Sequence, residues 1–508
     1  MALKVLSSLD AAKTQCYHFK AIVIAGMGLF TDAYDLFCIP PIVTLITRLY
    51  YADAHAHRAP PAIVSGLVSV ALAGTVLGQL ACGVLGDRFG RRRVYGLALL
   101  TMVLASFACG FSLCSHRGCV LATLGLFRFL LGLGIGGDYP LSATIMSEFA
   151  NRRTRGMFIA AVFSMQGLGI LASSAAVMAV CAVFQRLAAD DALELDLAWR
   201  IILMLGAIPA ALTLYWRLMM PETARYTALV EKNVARAAKD MERVLDVHVA
   251  QIAEASDFPP PYAAEPNPPP AASYPLISTQ FRRRHGRDLL ACAAAWFLVD
   301  VAFYSTNLFQ SLIYRNYPWD GEQESTPASA GAFREAFRMA KFQAIVAAGS
   351  TIPGYWAAVA LIDRVGRVRI QMAGFLGMAA AYAAIGATYY AVWERHPHAG
   401  FLALYALTFF FSNLGPNTTT FIVPAELFPA RFRTTCHGVS GAVGKVGAII
   451  GSVGFLWASH RSEEEEYPKR VGMTAALGIM AGLCLLGAAV TYFLTPETMG
   501  RSLEENEH

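Results

Sequence analysis

Residues 83–93 read GVLGDRFGRRR, and residues 360–370 read ALIDRVGRVRI. Each lies between two long apolar stretches, and each carries the spacing D-R-x-G-R. A second pair supports the first. SEFANRRTRG (147–156) and AELFPARFRTTCHG (425–438) both end an apolar stretch on an acid followed by arginines. Asp87 and Asp363 are 276 residues apart, and Glu148 and Glu426 are 278 apart. Two independent pairs at nearly one offset imply a duplicated unit.

The unit repeated is a set of membrane spans. Of the 508 residues 56% are hydrophobic and 15% charged, and the mean hydropathy is +0.46. A soluble chain of this length carries more charge. About twenty apolar residues cross a bilayer core of roughly 30 Å as a helix. The apolar stretches lack the alternation of lipid-facing strands. Twelve of them fall between residues 21 and 494, six on each side of a polar segment. The expected fold is all-α and integral to the membrane: twelve transmembrane helices in two pseudo-symmetric six-helix bundles, with cargo held between them. The expected organisation is an N-terminal segment 1–20, a first bundle 21–220, a central loop 221–287, a second bundle 288–495 and a tail 496–508. The central loop begins as amphipathic helix and continues as the Pro-rich DFPPPYAAEPNPPPAASYP.

Arginine placement sets the expected orientation. Arg88, Arg91, Arg92, Arg93, Arg152, Arg153, Arg155, Arg364, Arg367, Arg369, Arg431 and Arg433 occupy the loops after spans two, four, eight and ten. Asp190, Asp191, Glu194 and Asp196 lie between spans five and six. The positive-inside rule then puts both termini and the central loop in the cytosol. The net charge of +5 is modest and spread over these loops, so nucleic-acid binding is not expected. No cysteine pair has metal-ligand spacing, and no cofactor is expected. Cys109, Cys114 and Cys119 are evenly spaced near one outer loop, a pattern that does not by itself predict a disulfide.

Asp35 (span one), Asp138 (four), Asp300 (seven) and Lys445 (eleven) are charged residues that lie inside spans. Each costs roughly 2.5–3.5 kcal/mol at the bilayer centre, so each is expected to face a cavity or a partner. A carboxylate avoids that cost by taking up a proton, which makes it a natural proton carrier. Trp296, Asp300 and Tyr304 follow at i, i+4 and i+8 and drift only about 80°, so they share one helix face. Tyr139, Gln166 and Asn413 add neutral hydrogen-bond donors on spans four, five and ten. Asp32, three residues before Asp35, reads as a helix-end or loop partner. The glycines of GLGIGG (132–137) follow no strand and read as close helix packing. NTT at 417–419 lies inside span ten and is not expected to be glycosylated.

The D-R-x-G-R-R loop, its echo and PETARY (221–226) resemble the major facilitator superfamily, and PETMGRSLEE (496–505) resembles its sugar porters. GGDYPLSATIMSE, GLFTDAYDLF, AAWFLVDVAFYSTNLF and FFFSNLGPNTTTFIVPAELFP resemble the high-affinity phosphate:proton symporters of plants and fungi, from about residue 15 to 505. The resemblance implies uptake of inorganic phosphate with protons by alternating access at the plasma membrane. It implies that Tyr139, Gln166, Trp296, Asp300, Tyr304 and Asn413 contact phosphate. Asp35, Asp138 and Asp300 are implied to carry protons, and Lys445 to supply positive field or a charge partner. Arsenate, of the same shape and charge, is an expected mimic. Asp87, Arg91, Glu148, Arg152, Arg155, Asp363, Arg367, Glu426, Arg431 and Arg433 are read as braces of a gate. Here Glu148 is expected to pair with Arg152 or Arg155, and Glu426 with Arg431 or Arg433. A sugar or polyol symporter and a non-transporting phosphate receptor are the alternatives. No Ser–His–Asp arrangement, metal cluster or nucleotide motif suggests an enzyme.

Overall fold

A computed structural model describes residues 16–51, 61–112, 116–187, 192–233, 236–237, 274–316, 328–389, 399–459 and 472–507. The Pro-rich stretch, Asp190, Asp191 and Cys114 lie outside these. The first half contains α1 (Cys16–Tyr50), α2 (Pro61–Phe89), α3 (Arg91–Gly110), α4 (Arg117–Phe149), α5 (Arg155–Leu187) and the sixth pass. That pass is split at Gly206 into α6 (Ala192–Leu205) and α7 (Ala207–Met219), and the short α8 (Ala224–Leu229) follows it. The second half repeats the scheme. It runs α9 (Thr279–Asn316), then α10 (Ala328–Val346) joined by a π turn to α11 (Ile352–Val365), then α12 (Arg367–Thr388). The tenth pass is α13 (Ala399–Leu414) and α14 (Pro416–Leu427), and α15 (Arg433–Ser459) and α16 (Met473–Leu494) close the bundle.

Ten helical stretches among the described residues are long and apolar enough to cross a membrane. The tenth and eleventh passes are the other two. α13–α14 breaks at Gly415–Pro416 beside Asn413 and Asn417, and α15 carries His437 and Lys445 among glycines. The eighth pass starts at Ala328. Arg334, Glu335, Arg338 and Lys341 hide its first turns from a hydropathy reading. Its Glu335 meets Arg48 of α1 at 3.8 Å.

The two halves meet along α2–α15 and along α5 with α10 and α11. Under the duplication, pass two corresponds to pass eight and pass eleven to pass five. The two seams are therefore one contact made twice. The D-R-x-G-R loops show the same equivalence at atomic scale. Gly90 and Gly366 turn the chain at φ 94° and 102°, a region that side chains avoid. The turn brings the next helix start onto a glutamate of a P-E-T triplet: Glu222 accepts from Arg92 N at 3.2 Å, and Glu497 from Arg367 N at 3.0 Å.

Cys119, at the face opposite the arginine loops, is disulfide-bonded, whereas Cys109 is a free buried thiol.

Candidate functional site

Between the halves, at mid-height of the helices, lies a cavity of about 20 Å³. On this measure a single water needs roughly 10–15 Å³, so the chamber is closed down on its own side chains. Asp32, Tyr139 and Gln166 enter it from the first half, and Trp296, Asp300, Tyr304, Asn417 and Lys445 from the second. Trp296, Asp300 and Tyr304 share one wall, as their spacing on α9 requires.

The polar groups form two sets. One is a chain of donors that crosses between the halves. Gln166 Nε2 donates to the Tyr139 hydroxyl at 2.6 Å, and Tyr139 donates to Asp32 Oδ2 at 2.6 Å. Tyr355 donates to Gln166 Oε1 at 3.0 Å, and Asn417 Nδ2 donates to Tyr355 at 3.1 Å. The other set centres on Lys445. Its Nζ lies 3.2 Å from Asp300 Oδ2 and 3.0 Å from the Tyr304 hydroxyl, and 5.1 Å from the centre of the Tyr139 ring. Below, on the arginine side, Phe163 stacks on Phe421 at 4.5 Å, and Trp296 and Tyr139 pack edge-on against Phe421. This aromatic layer is the chamber's floor.

Three expected residues stand elsewhere. Asp138 and Tyr139 are neighbours on α4 and point about 100° apart, so only one can face the chamber. Tyr139 does. Asp138 is buried against Arg217 of α7 in an ion pair, and Arg217 also donates to Ile24 O at 3.0 Å and lies 3.8 Å over the Tyr95 ring. Its charge is met by an arginine, where the sequence suggested a proton. Asp35 is likewise buried against Arg128 of α4 at 3.1 Å, and Arg128 Nε donates to Leu67 O at 3.0 Å. Asn413 sits behind the wall: it donates to Phe409 O at 2.8 Å and accepts from Asn417 at 2.8 Å. The turn that Gly415 and Pro416 break carries Asn417 into the chamber instead.

Asp32, read as a helix-end partner, is the acid of α1 that lines the chamber with Leu36 one turn on. Tyr355 and Asn417 were not expected. Tyr355 gave little signal, since it lies in an apolar stretch whose polar neighbour at helical spacing is Thr351 alone.

On the arginine side a second polar layer joins the halves. Asp87 accepts from Thr435 N at 2.8 Å and its hydroxyl at 2.7 Å, at the start of α15. Asp363 accepts from Met157 N at 2.7 Å, at the start of α5. Each motif acid thus holds the positive end of the equivalent helix in the other half. Arg91 and Arg367 each reach their own half's glutamate: Glu148 at 3.3 Å and Glu426 at 2.7 Å. Thr223 and Thr498 of the P-E-T triplets donate to the same two acids at 2.5 and 2.6 Å. Glu148 also takes Arg433 from the opposite half at 2.7 Å.

The expected partners within each loop are therefore replaced. Both glutamates turn inward, away from the arginines that follow them. Arg152 donates to Gly500 O and Arg155 to Arg501 O at 3.0 Å, and Arg431 lies 4.1 Å over the Tyr274 ring.

The comparisons agree with this architecture. Residues 20–508 match the family model described as sugar (and other) transporter. The chain is 60% identical to "Probable inorganic phosphate transporter 1-10" of Oryza sativa subsp. japonica, over 99% of this chain and 92% of that protein. It is 57% identical to "Probable inorganic phosphate transporter 1-9" of Arabidopsis thaliana, over 99% and 96%. Among solved structures, the proton:xylose symporter XylE bound to 6-bromo-6-deoxy-D-glucose superposes with a TM-score of 0.70 at 19% identity, over 97% of this chain and 98% of that one. With its duplicated bundles, mid-membrane chamber and paired P-E-T loops, this chain belongs to the sugar (and other) transporter family of the major facilitator superfamily, among the plant inorganic phosphate transporters.

Proposed function

We propose that the chain takes up inorganic phosphate with protons at the plasma membrane, by alternating exposure of the central chamber, with both termini in the cytosol. The relatives' names supply the substrate class. The disulfide at Cys119 supports the orientation, because disulfides persist on the oxidising side of a membrane. One observation carries the mechanism: Lys445, the cation among the described chamber residues, is held by Asp300.

Protonation of Asp300 frees Lys445 for an anion, so proton and phosphate bind in linked fashion. The same arithmetic fixes the expected ratio. With Asp32 and Asp300 ionised and Lys445 charged, the chamber carries net −1; two protons bring it to +1, and a monovalent phosphate then brings it to zero. Tyr139, Gln166, Trp296, Tyr304 and Asn417 supply neutral donors around the anion, and Asn413 fixes Asn417. Neutral donors bind without the tight hold of an arginine cage, which suits release on every cycle. Asp35 and Asp138, implied by the resemblance as proton carriers, are assigned to holding the first bundle together through Arg128 and Arg217. The Asp87, Glu148, Arg433 layer is the inner gate, and Asp363, Arg367 and Glu426 are its counterpart. Arsenate shares the geometry and is an expected competitor.

Uptake of radiolabelled phosphate in a transport-deficient cell, with and without a protonophore, tests this reading. Uptake that the protonophore leaves unchanged overturns proton coupling. Sugar uptake in place of phosphate favours the sugar symporter, and phosphate binding without uptake the receptor.

A further inference from the structure

A second cavity, of about 30 Å³, lies directly outward of the first, on the side away from the arginine loops. It shares Leu36, Phe37 and Tyr304 with the central chamber, so Tyr304 and Phe37 form the partition. The helix faces that build the chamber continue into it. Asn307 is the next inward residue after Asp300 and Tyr304 on α9, and Ser452 lies two turns beyond Lys445 on α15. Gln343 enters from α10 and is only 3% exposed.

Three amide atoms here are unsatisfied. Both polar atoms of Asn307 and Oε1 of Gln343 are buried without a hydrogen-bond partner among the described residues. A buried orphan of this kind costs about 1–3 kcal/mol, so it is kept where something else fills the need. No charged residue is among those that line this cavity. Whatever occupies it must therefore both donate and accept hydrogen bonds, and must not need a cation at contact.

We propose that this cavity is an outer binding site for dihydrogen phosphate, in which Asn307 and Gln343 read the protons on the anion before it passes Tyr304. The inference rests on the phosphate reading above. Dihydrogen phosphate carries two hydroxyls and two bare oxygens. An amide answers both kinds, its N–H to a bare oxygen and its carbonyl to a P–OH. Sulfate has the same shape but no hydroxyl, and would set its oxygens against Asn307 Oδ1 and Gln343 Oε1. Discrimination of this kind, by an unpaired buried polar group, is far stronger than discrimination by size. The lack of a contacting cation keeps the site weak, as an entry station requires.

The test uses Asn307→Leu and Gln343→Met, singly and together, which keep side-chain volume and remove the amides. In cells, the double variant is expected to raise KM for phosphate about tenfold, the loss of roughly one net hydrogen bond, while kcat stays within a factor of about two. On the purified full chain, phosphate titration of the parent is expected to show one tighter and one weaker site, and the variant only the tighter. A single phosphate site in the parent, together with an unchanged KM in both single variants, overturns the proposal and leaves the cavity to ordered water. A loss of kcat at unchanged KM also overturns it, in favour of a packing role at the partition. The single Gln343→Met variant gives the same readout where the double variant does not reach the membrane. The parent's own uptake separates the two readings. If the parent transports phosphate and the double variant matches it, only the outer site falls; if the parent takes up none, both fall.

Discussion

Lys445 Nζ stands 3.2 Å from Asp300 Oδ2, two buried charges from different helices facing each other in the chamber. Neither is tied to a second opposite charge at ion-pair distance among the described residues, so a proton on Asp300 changes what Lys445 attracts. Asp300→Asn is expected to lower proton-driven uptake at least tenfold while the protein still inserts. Binding of phosphate to the purified variant is expected to lose the part of its pH dependence that Asp300 supplies, since Lys445 is then always free of it, and to keep the part that belongs to Asp32. Full uptake by the variant would remove Asp300 from the coupling path. Surface biotinylation alongside radiolabelled uptake separates the two effects.

Asp32 makes a second, electrical prediction. A monovalent phosphate carried with two protons moves one net positive charge, worth about 2.3 kcal/mol per 100 mV. With one proton the cycle is neutral. Asp32→Asn is expected to keep measurable uptake but abolish the phosphate-induced inward current in a voltage-clamped cell. A current that scales with uptake as in the parent would show that Asp32 carries no coupled proton.

The legibility of this site in the sequence was uneven, for geometric reasons. The duplication, the passes and the Trp296–Asp300–Tyr304 wall follow from periodicity, which one helix states by itself. Which of two nearby acids faces inward depends on the helix opposite. Asp35 and Asp138 looked like proton carriers because Arg128 and Arg217 lie on other helices, and no spacing rule links residues 93 or 79 positions apart. The Glu148–Arg433 tie, across 285 positions, was hidden for the same reason. Tyr355 and Asn417 were hidden by an apolar neighbourhood and by a helix break.

The Asp138–Arg217 pair gives a stability prediction distinct from transport. Both side chains are buried. Removing one partner leaves the other charge orphaned, which typically costs about 3–5 kcal/mol; replacing both with apolar groups of like volume is often near neutral. Arg217→Met alone is expected to lower Tm sharply in detergent, and Asp138→Leu with Arg217→Met to recover most of it. If the double variant restores Tm but uptake stays absent, Asp138 returns to the proton path. If uptake also returns, its role is to hold α4 against α7.

The equivalence of the two D-R-x-G-R turns is testable by symmetric substitution. A Cβ at Gly90 would stand 2.5 Å from Glu222 Oε2, and one at Gly366 2.6 Å from Glu497 Oε2, each at positive φ. Gly90→Ala and Gly366→Ala are each expected to cost about 1–3 kcal/mol and to displace the P-E-T glutamate. The two Tm losses should agree within a few degrees. A large loss at one turn and none at the other would show that the halves do not share the load.

The tail offers a pH prediction outside the membrane. Burial pushes the Glu504 carboxyl up, but the Arg225 guanidinium at 2.8 Å and the Ser502 hydroxyl outweigh it and hold the group at about 2, below its usual 4.5. A carboxyl held low contributes stability that is full above the unfolded value and disappears as pH falls through the folded one. The contribution is therefore complete above about pH 5 and fades only towards pH 2. Glu504→Gln is expected to lower Tm by the same amount at every pH between 5 and 8. The tie between the P-E-T segment and the tail then stays fixed across the cytosolic range, and the pH response of uptake belongs to the chamber acids. A Tm difference that grows or shrinks between pH 5 and 8 would place a titrating group at this tie and reopen the tail as a pH sensor.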